Sequence, residues 1–355
     1  MSSIVDAAGS FSLAGISLPL SRVGLGTWAL GGQQWRYSWG KQDDAASLRT
    51  IDAAIDVGVN WIDTAPVYGV GHAERLVGRA LHGRRDRVVV ATKCGFLWQP
   101  GSHRPYPRLT AATVFDEVEA SLRRLATDYI DLYQIHWPGP DCDLLAGWES
   151  ICRLIEAGKV RSGGVCNLSA PELASFAGQA SPASLQLPCN MLLPPPRELV
   201  AAEAGDTAAS TTIIGYSPLA SGMLCQAFSH QRVRRLPGDD WRASDARFSE
   251  PQLSAHLHLV EELRSIGASA GRRVEHYALT WALQRVVGGA ILLGARSPEQ
   301  IVTSAGAETP GAAEMAAVER VLNTPRRPAG APGPQSAGRE SAPLRPTRSP
   351  PQRQR

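Results

Sequence analysis

Four ionisable side chains fall where they could together hand a proton to a carbonyl oxygen. Asp63 closes the apolar run VNWI, Lys93 closes VVVAT and His136 closes DLYQI, while Tyr68 stands five residues beyond Asp63 on a loop with Pro66 and Gly69. A free phenol, with a pKa near ~10, is a poor acid at neutral pH. An ammonium beside it stabilises the phenolate and lowers that value. A carboxylate against the lysine keeps it placed and charged, and a histidine opposite orients a carbonyl oxygen or relays its proton. Such a set serves reduction of C=O, in which carbon takes hydride and oxygen takes a proton; no side chain carries hydride, so a cofactor must. Each residue alone has a plainer use: a turn cap for Asp63, a solvated strand end for Lys93, a rim histidine for His136, loop packing for Tyr68. Lysine usage favours the set. Lys41, Lys93 and Lys159 are the only lysines among 36 basic residues, and a position that keeps lysine in such a chain needs a tunable proton that arginine cannot supply.

The elements that must position these groups alternate along the chain. Short β-branched runs at Ser21–Gly24, Val59–Ile62, Val88–Thr92, Ile130–Ile135, Ser162–Val165, Ser184–Leu187, Thr211–Ile214 and Ala290–Leu293 predict eight strands. Between them, helical patterns are predicted at Asp44–Val57, Ala73–Leu81, Ala111–Leu125, Leu144–Ala157, Pro171–Gly178, Arg197–Ala204, Gln252–Gln284 (broken near Ser269–Gly271) and Pro298–Ala305. In the first, Leu48, Ile51, Ala54 and Ile55 share a face. Eight βα units predict a (β/α)8 TIM barrel, with chemistry collected where strands end. An open dinucleotide-binding sheet is disfavoured, because Gly31-Gly32 follow the GxGxxA at Gly24–Ala29 where a helix should continue. Ser10–Leu20 alternates around Gly15 and predicts an N-terminal β-hairpin closing the barrel floor. Residues 221–250 form a connection too long to be without function in a compact domain.

Composition narrows the class. The 355 residues are 43% hydrophobic and 19% charged, enough for a large core. No apolar run approaches the ~18–20 residues of a membrane helix, and MSSIVDAAGSFSLAG has no secretory pattern, so no membrane partner is expected. Cys94, Cys142, Cys152, Cys166, Cys189 and Cys225 stand far apart without a CxxC pair; no metal site is expected, and the cytoplasm is the expected location. Residues 325–355 hold eight prolines, seven arginines and one acidic residue, Glu340, which leaves residues 1–324 with a net −3 where the whole chain shows +3. A nucleic-acid-binding barrel would carry its basic excess on the folded part, so no nucleic acid is expected. We read residues 1–324 as the barrel and 325–355 as a disordered Pro/Arg-rich tail.

The stretches GVNWIDTAPVYGVGHAERLVGRAL, VVVATKCG, DYIDLYQIHWP, GKVRSGGVCN, YSPLASGML and GARSPEQ, in this order, resemble the aldo-keto reductase superfamily from about Leu13 to Leu322. WRYSWGKQDD and LPGDDWRASDARF resemble its bacterial general-stress and oxidoreductase branch. The resemblance implies the (β/α)8 fold, NADPH bound without a Rossmann domain, and a small-molecule aldehyde or ketone as substrate. It implies a catalytic tetrad of Asp63, Tyr68, Lys93 and His136, with Tyr68 the proton donor. Carried over by position, Tyr216 would stack on the nicotinamide, Asn167 and Gln186 would hydrogen-bond its carboxamide beside Cys166, and Gly26, Thr27, Trp28 and Asp63 would also bind the cofactor. Ser217, Pro218, Leu219 and Gly222 would follow the pyrophosphate. Gly294, Arg296 and Gln300 would hold the adenosine end, with Arg296 forked onto the 2′-phosphate.

Trp28, Trp35, Tyr37, Trp98 and Trp137 are expected to line an apolar substrate mouth. The chain departs from its relatives in Cys166, where most carry serine, in Cys189, in Thr303-Ser304, where many carry Glu-Asn, and in Pro194–Pro196 with the small-residue stretch that follows. A thiol bonds more weakly than a hydroxyl, so looser carboxamide positioning is expected. Two rival readings carry less: an NADPH-binding regulatory or accessory protein docking a partner through its tail has no need of Tyr68, and a phosphate-handling isomerase has no use for Tyr68 and Lys93.

Overall fold

A computed structural model describes residues 3–33, 35–99, 101–102, 104–139, 141–201 and 211–324; the tail expected over 325–355 lies outside them. Eight parallel strands close on themselves: β1 (Val23–Gly26), β2 (Trp61–Asp63), β3 (Val89–Cys94), β4 (Ile130–Ile135), β5 (Val160–Cys166), β6 (Ser184–Pro188), β7 (Thr212–Tyr216) and β8 (Ala290–Gly294). Each pairs with its successor, and Leu292 and Gly294 of β8 stand opposite Gly24 and Gly26 of β1. All eight expected strands are present, several of them ending one or two residues later. The shift in β1 has a local cause. Ser21 ends the preceding hairpin strand, where its N–H donates to Asn60 Oδ1 at 2.9 Å.

That hairpin, Ser10–Leu13 and Ile16–Ser21, turns through Gly15 at φ 82°. A Cβ at Gly15 would stand 2.4 Å from the carbonyl oxygen of Arg161, so only glycine lets the turn lie against β5. Phe11, Leu13 and Leu20 then plug the barrel from below, buried with Trp61, Val89, Leu132, Ile214 and Leu292. Phe11 meets Trp61 edge-on at 6.0 Å, an arrangement worth ~1 kcal/mol beyond its buried area. Gly24 makes room for that indole: a Cβ there would lie 2.3 Å from Trp61 Cε2.

Helices cover the outside. Asp43 caps the helix Asp44–Asp56 by accepting from the Ala46 N–H at 2.7 Å. Its buried stripe is Ser47, Thr50, Ile51 and Ala54; Leu48 and Ile55, expected inside, are half-buried because the helix is rotated slightly from the predicted face. The long pattern over Gln252–Gln284 forms two helices, Gln252–Ala268 and Val274–Arg285, broken at Ser269–Arg273. The expected helix Arg197–Ala204 is described as Arg197–Ala201, its remainder lying outside the described residues. A short helix, Ile4–Ala8, escaped sequence reading.

The 221–250 connection is less irregular than its sequence implies. It carries short turns at His230–Arg234, Trp241–Ser244 and Ala246–Phe248. It also docks on the loop after β1, where Trp241 N–H donates to Ser38 O at 2.9 Å. Among the described residues no helix is long and apolar enough to cross a membrane.

Candidate active site

Asp63 ends β2, Lys93 is the last residue but one of β3 and His136 directly follows β4, so the barrel register brings them to one rim. Lys93 is wholly enclosed, and its ammonium spends three donors: on Asp63 Oδ1 at 2.5 Å, on Thr64 O at 2.9 Å and on the Tyr68 hydroxyl at 3.4 Å. Burial by itself works against the lysine's charged form. The Asp63 carboxylate, with a smaller contribution from Tyr68, outweighs it and holds the ammonium well above its ordinary range. A buried charge survives only when paired and hydrogen-bonded, and this one is both.

For Tyr68 the expected net lowering is not what the structure gives. Burial pushes the phenol up, the Lys93 ammonium pulls it back and Asp63 pushes it up again, to about 12. Desolvation is the largest of these effects, and the Asp63 carboxylate offsets part of the pull from Lys93. Tyr68 is therefore fully protonated at neutral pH, a loaded acid. His136 is pushed the other way. Burial, then the Lys93 ammonium, hold its imidazole well below the ordinary range, so it stands neutral. Its ring meets Tyr68 edge-on at 5.9 Å and Phe96 at 5.3 Å.

Over this rim lies a cavity of about 560 Å³. Of the positions singled out in the sequence, Gly26, Thr27, Trp28, Asp63, Tyr68, His136, Trp137, Asn167, Gln186, Tyr216, Ser217, Pro218, Leu219, Gly222, Gly294, Arg296 and Gln300 line it. Lys93 and Cys166 are fully buried behind the lining, close to Asp63. Three of the five aromatics expected at the mouth do not line it. Trp35 donates its Nε1–H to Gly32 O at 3.1 Å and packs on Tyr37 at 5.9 Å, and Trp98 lies 6.0 Å from the Arg124 guanidinium. These rings fasten loops to their neighbours, and Trp28 and Trp137 alone of the five reach the cavity.

Whether the residues suit a nicotinamide dinucleotide follows from the donor set. At the Tyr68 end, Tyr216 donates its hydroxyl to Asn167 Oδ1 at 2.9 Å, and Asn167 Nδ2 donates to His136 O at 3.0 Å. Asn167 adopts φ 60°, a region asparagine tolerates. Gln186 Nε2 donates to Asp63 Oδ2 at 3.0 Å, which leaves its Oε1 as the acceptor to offer an incoming amide. A flat aromatic amide ring fits this mixture. Away from Tyr68, Ser217, Ser221 and Gly222 take positive φ in one turn, a concave backbone of the anion-binding kind. Arg232, Arg242, Arg273 and Arg296 also line the cavity, with Glu275 and Glu299. Glu275 pairs with Arg273, and Arg242 pairs with Asp240, so away from Asp63 the lining holds four arginines against two carboxylates. Arg296 is aimed by Gln42 Oε1 at 2.9 Å and Lys41 O at 2.6 Å. A cavity with an aromatic amide-binding end and a cation-rich end fits a dinucleotide with its phosphates.

Sequence reading missed Trp39, Gln42 and Arg242. Trp28 stacks on Trp241 at 5.3 Å, Trp39 closes edge-on against both, and the Arg242 guanidinium lies 4.4 Å over the Trp39 ring. A signal was present in DDWRASDAR. Asp240 and Asp245 each accept from the N–H and Nε of the arginine two residues on, Arg242 and Arg247. A repeated Asp-x-Arg thus marks two self-locked turns that pin the long connection beside the cavity.

Residues 22–322 match the Aldo/keto reductase family. The chain is 37% identical over 293 residues to the aldo-keto reductase YhdN of Bacillus subtilis, covering 82% of this chain and 86% of that protein. It is 32% identical over 297 residues to an Escherichia coli protein named NADH-specific methylglyoxal reductase, covering 80% and 88% of the two chains. Among solved structures, the glycerol dehydrogenase AKR11B4 from Gluconobacter oxydans superposes with a TM-score of 0.77 at 33% identity, over 92% of this chain and 100% of that one.

Proposed function

Since the chain belongs to the aldo/keto reductase family of carbonyl-reducing oxidoreductases, we propose that it reduces an aldehyde or ketone to the alcohol with NADPH, taking the proton from Tyr68. The observation that carries this reading is the enclosed Asp63–Lys93–Tyr68 chain, 2.5 Å and 3.4 Å at its two links.

NADPH, when bound, supplies the hydride. Every other part of the reaction falls to the protein. Neutral His136 offers a ring N–H to the carbonyl oxygen and orients it towards Tyr68. The Tyr68 hydroxyl gives its proton to that oxygen, and Lys93 stabilises the phenolate left behind. Asp63 keeps the ammonium charged and in place. Asn167 and the free Oε1 of Gln186 fix which face of the nicotinamide meets substrate, and Tyr216 backs the ring. Arg296 selects the 2′-phosphate by its planar fork. One relative is named NADH-specific, so the choice between cofactors rests on this chain's own residues, and the cation-rich end of the cavity supports the phosphorylated one. The same reading places the protein in the cytoplasm, in keeping with its six free cysteines, and assigns the reaction to residues 1–324.

The test is direct. Purified protein given an activated aromatic aldehyde should consume NADPH and yield the alcohol, with NADH much the poorer donor. No consumption of either nucleotide over a panel of aldehydes and ketones contradicts the reading.

A further inference from the structure

The two oxygens of the Asp63 carboxylate are served from different sides. Lys93 Nζ takes Oδ1 at 2.5 Å, whereas Oδ2 accepts two amide hydrogens, from Gln186 Nε2 at 3.0 Å and from Gln134 Nε2 at 3.2 Å. Gln134 lies on β4, two residues before His136, and is wholly enclosed. Its neighbours in register are Lys93 on one side and Gly164 on the other. Its own oxygen accepts from Gln186 Nε2 at 3.3 Å and from the Cys166 thiol at 3.7 Å. The barrel makes room for this side chain: a Cβ at Gly164 would stand 3.2 Å from Gln134 Cγ and 2.3 Å from Ser184 Oγ. A buried amide is costly unless satisfied, and all three of these bonds join it to groups in or behind the cavity floor.

We propose that Gln134 is a positioning residue for the carbonyl reduction, clamping Asp63 and Gln186 so that the carboxylate holding Lys93 and the amide oxygen offered to the nicotinamide are set as one unit. The proposal rests on the function proposed above. With Oδ2 held by two amides, the carboxylate cannot swing round to offer both oxygens to Lys93. The ammonium therefore keeps a donor for Tyr68. The charged and titratable groups facing Gln134 are Asp63 from β2, Lys93 from β3 with Tyr68 over it, and the Cys166 thiol from β5; Gln186 from β6 is neutral.

Two variants test the clamp. Gln134→Met keeps the length and removes every hydrogen bond. Gln134→Glu restores a donor to Asp63 only while its carboxyl is protonated, and repels Asp63 once ionised. We measure kcat with NADPH and an aldehyde across pH, and the Kd for NADP⁺ by quenching of tryptophan fluorescence. Gln134→Met should lower kcat about tenfold and weaken NADP⁺ severalfold, in a ratio to the parent that does not vary with pH. Gln134→Glu should recover towards the parent as pH falls and lose activity as pH rises, a dependence that mere filling of space cannot produce. If the methionine variant fails to fold, the pH-dependent recovery of the glutamate variant decides alone. Methionine within twofold of the parent in both kcat and Kd, or a glutamate-to-parent ratio that is flat with pH, overturns the clamp while the functional reading stands. A parent inert with NADPH overturns both.

Discussion

The Tyr68 hydroxyl lies 3.4 Å from the Lys93 ammonium, yet burial holds its pKa at about 12. The cation does not make the resting phenol acidic. In the reaction proposed above, its part is in the transfer itself: a fixed positive charge in an enclosed site would stabilise the phenolate as it forms, with no reorganisation to wait for. The donor is then fully loaded at every pH at which the protein would work.

Removing the cation should cost both activity and stability. Lys93→Met leaves the Asp63 carboxylate buried without its ion-pair partner, a loss of ~3–5 kcal/mol in such sites. Chemical denaturation should show a fall of that order, and turnover should be lost even at temperatures where the variant is folded.

The pH profile should lack a histidine limb. Burial and Lys93 hold His136 well below its ordinary range, and Tyr68 stands at about 12. Neither group changes charge between about pH 6 and pH 9, so kcat for reduction should be level across that window. A limb near about pH 6.5 in kcat would show that His136 titrates freely.

Cofactor choice should reside in Arg296. Its guanidinium is held by Gln42 and the Lys41 carbonyl at the cation-rich end of the cavity. A charged hydrogen bond contributes ~1.5–3 kcal/mol, so Arg296→Ala should raise the KM for NADPH some ten- to a hundredfold and leave NADH nearly unchanged. An unaltered NADPH-to-NADH ratio would assign the selection to another residue.

Glu117 should make stability fall with rising pH. Its carboxylate oxygens accept from the Gly95 N–H at 3.0 and 3.1 Å. Burial outweighs that bond and the Arg124 charge and raises the carboxyl to about 8, above its unfolded value near ~4.3. The stability carried by the neutral form is full below the unfolded pKa and is lost as pH rises through about 8. Glu117→Gln cannot ionise and still accepts from Gly95. Its Tm relative to the parent should therefore rise by several degrees between about pH 5 and pH 9.

The periodicity of the chain made the barrel legible, because parallel strands buried on both faces leave nearly continuous apolar runs, and the three ionisable residues read after three of those runs do come together at one rim. What sequence hid was direction and degree. Ser21 and Asn60 displaced the start of β1. Trp35 and Trp98 turned to loops because aromatic rings satisfy loop packing as readily as a cavity wall. Gln134, read as one polar letter inside a strand, gave no sign that three side-chain hydrogen bonds converge on it. The sign of the Tyr68 shift depended on enclosure, which no local spacing records.

The central claim is that one phenol supplies the proton, and a single substitution tests it. Tyr68→Phe removes one oxygen atom and leaves the ring between Trp35 and His136. We expect kcat with NADPH and an aldehyde to fall by ~10²-fold or more, with the Kd for NADP⁺ within about twofold of the parent. Turnover by Tyr68→Phe at the parent's rate would show that the proton comes from elsewhere.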